Sequence, residues 1–123
     1  MIKIDYKNPR ALFEQVHDGI RDLIVCGVLP ANERIPSVRE LAQQLSINPN
    51  TIQKAYRELE RDGYLYQSPG KGSFVAPAEH SRHPEKERRL REELEIRARE
   101  LLYLGVSSEE LKAMIDALDH QSS

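Results

Sequence analysis

Two helix-start signals lie only eleven residues apart, at Ser37 and Asn48, in the stretch "SVRELAQQLSINPN". Ser37 is followed three positions later by Glu40, a pair able to satisfy the free N–H groups at a helix start reciprocally. Asn48 precedes Pro49, which combines a capping side chain with a residue suited to the first helical position. One helix cannot run through a second start, so the chain must break between them. The spacing predicts a short helix of about two to three turns with Val38, Leu41, Ala42 and Leu45 on one apolar stripe. A tight polar turn, Ser46-Ile47-Asn48, follows with Ile47 as its single apolar anchor. Ile52, Ala55, Tyr56 and Leu59 then mark the buried stripe of a second helix, ended by Asp62-Gly63.

The opposite face of that second helix carries Asn50, Gln53, Lys54, Arg57 and Arg61, and its acids come late, at Glu58, Glu60 and Asp62. Between Gln43 and Arg57 the only charges are Lys54 and Arg57, although the whole chain has a net charge of −2. The totals are therefore not those of a strongly basic protein; the distribution carries the signal. Amide and guanidinium groups match the hydrogen-bonding edges of bases, whereas a carboxylate near the phosphates is repelled. The proline start is also expected to leave first-turn N–H groups free for a phosphate.

After this helix, "YLYQSPGKGSFV" reads as a β-hairpin, with Tyr64–Gln67 and Ser73–Val75 as strands around a Pro69-Gly70 and Gly72 turn. Upstream, Leu12, Phe13, Val16, Ile20, Leu23 and Ile24 follow helical spacing. Asn8 is expected to cap that helix, Pro9 to open it and Gly27 to stop it; "IKID" at 2–5 is expected as an edge strand. The order is helix, short helix, tight turn, helix, hairpin: a winged helix-turn-helix, which sets its second helix in the major groove. Arg39 opposes the dipole at its own helix start, so contact with DNA explains it better than stability does. Lys71, at the hairpin tip beside Gly70, is expected to meet the backbone.

Beyond the hairpin, 77–84 form a polar linker, and 85–123 form a tail of two helices. Glu85/Arg89, Glu87/Arg91, Glu93/Arg97 and Glu95/Arg99 are spaced for i, i+4 ion pairs on the first of these. Ser107 and Glu110 repeat the reciprocal cap at the start of the second. Leu90, Leu94, Ala98, Leu101 and Leu102, then Leu111, Met114, Ile115 and Leu118, give apolar stripes that a two-helix hairpin cannot enclose, so a second chain is expected to cover them. The fold class expected is mainly α with a small β-hairpin wing: residues 1–76 as the winged helix-turn-helix, then the linker and a dimerisation tail.

At the level of motifs, "RIPSVRELAQQLSINPNTIQKAYRELERDGYLYQSPGKGSFV" resembles the GntR family of bacterial transcription regulators. The likeness spans roughly residues 9–76, with Pro36-Ser37, Arg39-Glu40-Leu41-Ala42, Thr51, Ala55-Tyr56, Leu59, Gly63 and the wing ending in register. The short tail and the "NPNT" helix start are similar to the YtrA-type subfamily. The resemblance implies DNA contacts at Arg39, Asn48, Pro49, Asn50, Thr51, Gln53, Gly70 and Lys71, and dimerisation through the tail. The chain departs from the family at Pro49 and Gln53, where many members carry Arg, and at Ala31 and Ile35, where Gly and Leu are common.

An enzyme is not expected: there is no nucleophile beside a base, no paired carboxylate in an apolar pattern, and "SPGKGSF" lacks phosphate-loop spacing. His80 and His83 lack a third ligand at zinc-site spacing, so neither metal nor cofactor is expected. The single cysteine, Cys26, is expected in or near the core and fits a reducing cytosol. No secretory leader and no apolar run of membrane-spanning length is evident. These readings converge on a cytoplasmic homodimer that binds a palindromic double-stranded operator and regulates transcription, expected to be a repressor. A winged helix used only for protein assembly is the rival class.

Overall fold

The computed structural model describes residues 2–8, 10–78 and 84–121. It contains α1 (Leu12–Val25), α2 (Val38–Leu45), α3 (Pro49–Arg61), β1 (Leu65–Ser68), β2 (Gly72–Val75), α4 (Pro84–Tyr103) and α5 (Ser108–Gln121). The chain divides into two compact units, 1–83 and 84–123.

The first unit is a three-helix cluster closed by a wing. Its core joins Val16 and Ile20 of α1, Leu41 and Ala42 of α2, Ile47 of the turn, Ile52, Ala55, Tyr56 and Leu59 of α3, and Leu65 and Val75 of the wing. The four residues of the α3 stripe are all at most 1% exposed, so this face is wholly committed to packing. At α2 the reciprocal cap forms in full, Ser37 Oγ accepting from Glu40 N and the Glu40 carboxylate from Ser37 N. The helix ends at Ser46, whose left-handed backbone (φ 54°) reverses the chain tightly enough for the Ile47 N–H to donate to the Ala42 carbonyl.

β1 and β2 pair antiparallel, Leu65 opposite Val75 and Ser68 opposite Gly72. A further segment joins them. Asn32 N–H donates to Val75 O, Val75 N–H to Glu33 O and Ile35 N–H to Ser73 O, so residues 32–35 run along the free edge of β2. Tyr66 stacks on Phe74 at 5.5 Å between ring centres, and its hydroxyl donates to Asn32 Oδ1.

Three expectations fail in this unit. "IKID" forms no strand; Ile2 and Ile4 pack on the core instead, and Gln15 holds the Asp5 backbone. The first helix starts at Leu12 with no side-chain cap, because Asn8 Oδ1 accepts from Arg10 N–H and closes a local turn; Pro9 lies outside the described residues. Cys26 is exposed. It sits two positions beyond Ile24, about 200° around the helix from it, and so points away from the core.

In the second unit Ser107 and Glu110 again cap reciprocally. Among the expected ion pairs Glu95–Arg99 forms, while Arg89 reaches Glu93, Arg88 bridges Glu85 and Glu92, and Arg97 pairs with Glu100. Exposed side chains re-pair at little cost, since each such pair contributes only about 0.2–0.5 kcal/mol. No residue of α4 is buried. The two helices barely pack on each other rather than closing into a hairpin. Leu90, Leu94, Leu102, Met114, Ile115 and Leu118 are between 47% and 64% exposed, and Ala98, Leu101 and Leu111 are half-buried. No described helix is long and apolar enough to cross a membrane.

Candidate nucleic-acid interface

The solvent face of α3 begins with Asn48 at the cap and Pro49 at the first helical position, both exposed. Asn50, Lys54 and Arg57 follow as exposed residues, with Thr51 and Gln53 half-buried beside them. No acid lies in the first turn. Of the later acids, Glu60 is engaged by Gln67 of β1 at 2.8 Å, and Asp62 lies 3.6 Å from His17 Nε2 of α1. The N-terminal half of the helix thus offers amides and cations, while its C-terminal half is tied into the domain.

One expected feature is absent. The first-turn N–H groups are not free for a phosphate: Asn48 Oδ1 accepts from Asn50 N–H at 2.8 Å, and the Asn48 carbonyl accepts from Thr51 N–H at 2.9 Å. Pro49 has no N–H. The Asn–Pro start therefore serves the helix, and any anion here would be met by side chains.

Arg39 is exposed in the first turn of α2. A residue the sequence did not single out, Arg34, connects this end of α2 to the wing. Its Nε donates to the Lys71 carbonyl at 3.2 Å, and its Nη2 lies 3.6 Å from Glu40 Oε1. Gly72 (φ +122°) makes room for it, since a Cβ there would stand 3.1 Å from Arg34 Nε. Lys71 and Gly70 are exposed at the tip of the wing, which Arg34 fastens to the helix that carries Arg39. The Glu40 carboxyl is held below the ordinary range by the Ser37 N–H and hydroxyl, with Arg34 adding to the effect.

Tyr56 ties α3 to the approach to α2. Its hydroxyl donates to the Pro36 carbonyl at 2.6 Å, and burial pushes the phenol up, the Glu40 charge reinforcing it. Lys54 Nζ sits 3.8 Å from the centre of the Phe13 ring in α1. His80 and His83 lie outside the described residues; among those described, no group of three or more His, Cys, Asp or Glu side chains is arranged to hold a metal ion.

A short helix, a left-handed turn, a proline-opened helix and a hairpin wing define a winged helix-turn-helix, the class in which the second helix reads DNA. Residues 12–75 match the family described as Bacterial regulatory proteins, gntR family. The chain belongs to the GntR family and is a DNA-binding transcriptional regulator. It is 34% identical over 116 residues to the HTH-type transcriptional repressor YtrA of Bacillus subtilis, covering 94% of this chain and 89% of YtrA. A structure described as a transcriptional antiterminator from Listeria monocytogenes EGD-e superposes with a TM-score of 0.82 at 37% identity, covering 97% of this chain and 90% of that one. The DNA-binding domain of AraR, solved in complex with operator ORR3, matches 62% of this chain and 95% of its own at 32% identity and a TM-score of 0.51. These relatives are regulators and not enzymes.

Proposed function

We propose that the chain acts in the cytoplasm as a homodimer that binds a palindromic operator and represses transcription. In this reading Asn50 and Gln53 meet base edges in the major groove. Arg39, Asn48, Thr51, Lys54 and Arg57 contact the sugar-phosphate backbone around them, Pro49 lets the helix end approach closely, and Gly70 and Lys71 bring the wing to the flanking backbone. The observation that carries it is the two-sidedness of α3, one face fully buried and the other exposed to half-buried and free of acid through its first two turns. That a relative's DNA-binding domain, that of AraR, is solved in complex with operator DNA supports a DNA-binding role for this face.

The dimer rests on the uncovered apolar stripes of α4 and α5, which two sparsely packed helices leave in water. A second tail covers Leu90, Leu94, Ala98, Leu101 and Leu102 together with Leu111, Met114, Ile115 and Leu118, and sets two recognition helices roughly one DNA turn (about 34–36 Å) apart. Selection of bound duplexes from a random pool tests the specificity, run in parallel with Gln53→Ala. A palindromic consensus that relaxes at one position per half-site in the variant, with a loss of ~1–3 kcal/mol against the cognate base, is the expected result. Enrichment of no sequence, or an unchanged consensus in the variant, would remove Gln53 from base reading. Sedimentation of the full chain tests the assembly, and a monomer at micromolar concentration that still binds a palindrome tightly contradicts it.

A further inference from the structure

Lys54 makes no ion pair among the described residues, yet its ammonium is not loose. It lies over the face of Phe13 at 3.8 Å from the ring centre. Phe13 belongs to the first turn of α1, three and seven positions before the core residues Val16 and Ile20, and is half-buried at the edge of α1 that meets α3. Ala11, just before α1, Leu12 and Phe13 of α1, and Asn50, Thr51 and Lys54 of α3 line a shallow recess of about 380 Å³ at this junction.

We propose that Phe13 is a positioning residue for DNA binding, holding the Lys54 ammonium at the α1–α3 junction so that it meets a backbone phosphate. The inference rests on the reading of Lys54 as a phosphate contact. A lysine has a long flexible stem, and fixing it on binding costs side-chain entropy. A carboxylate neighbour would hold it only by neutralising it and competing with the phosphate. An aromatic face attracts the cation without accepting its hydrogen bonds strongly or cancelling its charge. The N–H bonds directed away from the ring stay available to an anion. Drawn toward α1, Lys54 also leaves base reading to Asn50 and Gln53, so its contribution is independent of sequence.

The test is a double-mutant cycle of Phe13→Leu and Lys54→Met in the full chain. It is read as affinity for a short mixed-sequence duplex over a range of salt, with circular dichroism as the folding control. Lys54→Met is expected to weaken binding and to lower the salt slope by about one. Phe13→Leu should weaken binding about two- to five-fold at nearly unchanged slope, because the charge remains. In the Lys54→Met background Phe13→Leu should cost nothing further, and Phe13→Tyr should keep wild-type affinity. In the free protein, the Lys54 ε-methylene protons should leave the ring's shielding when Phe13 becomes Leu. Losses that add across the cycle would overturn the proposal by making Phe13 merely structural, as would ε-methylene shifts indifferent to the substitution. A Lys54→Met protein with wild-type affinity and slope would instead remove the phosphate contact itself, leaving Phe13 nothing to position.

Discussion

Tyr56→Phe removes one oxygen from the centre of the winged helix and leaves the ring in place. The side chain is 1% exposed, and its hydroxyl donates to the Pro36 carbonyl at 2.6 Å. The variant loses that bond and leaves the carbonyl of half-buried Pro36 without this donor, a combined cost of about 1–3 kcal/mol. Pro36 leads directly into the cap of α2, so the damage falls where two helices are joined. In a domain of this size the unfolding midpoint should drop by roughly 5–20 °C. Alkaline pH gives a second readout. The ordinary phenol value is 10.0, and in the folded protein burial raises it. As pH rises past about 10 the unfolded chain releases this proton while the folded chain keeps it, so stability present below that pH is lost above it. The variant has no such proton. Its stability should therefore fall less steeply above pH 10, and the gap between the two proteins should narrow. Thermal unfolding followed by circular dichroism at neutral and alkaline pH measures both effects. A midpoint within about 2 °C of wild type, or a gap that widens with pH, would refute the reasoning.

Other perturbations reach the remaining parts. Gly72→Ala forces a side chain into a left-handed position with its Cβ 3.1 Å from Arg34 Nε, and is expected to cost ~1–3 kcal/mol and to weaken DNA binding for all sequences alike, measured by melting and by affinity for mixed duplexes. Ser37→Ala should destabilise by about 0.5–2 kcal/mol through loss of the α2 cap, read from denaturant unfolding. Because the Glu40 carboxyl is held below its ordinary 4.5, it contributes stability above that pH that is lost as pH falls through its folded value; Glu40→Gln should flatten this acid limb in a pH series of melts. Ending the chain after Pro77 should leave a folded monomer by sedimentation that has lost most of its operator affinity.

The elements most legible in the sequence were those specified locally. α2 and α3 each carry a cap, a stripe and a stop within their own residues, and the structure follows all three. The Asn8-Pro9 signal misled because the same capping chemistry also closes a turn, as Asn8 does toward Arg10. Arg34 and the strand-like run at 32–35 were not legible: their partners, Lys71 and Ser73 to Val75, lie far along the chain, and backbone pairing leaves no side-chain pattern. The placing of Lys54 on Phe13 was hidden for a similar reason, since it depends on how α1 meets α3 and on neither helix alone.

The pairing of residues 32–35 with β2 has a consequence for biosynthesis. Ile35 N–H and the Glu33 carbonyl find their partners in Ser73 and Val75, roughly forty positions downstream. Closing a loop of that length costs on the order of 3 kcal/mol in chain entropy before the contacts repay it. As the chain leaves the ribosome, α1, α2 and α3 emerge first, with the stripe of α3 lacking Leu65 and Val75 to complete its cover. The last element of this unit to arrive is β2, the return strand of the wing. A nascent chain stalled before Phe74 would thus present α3 without the backbone pairing and the Val75 packing that complete its core.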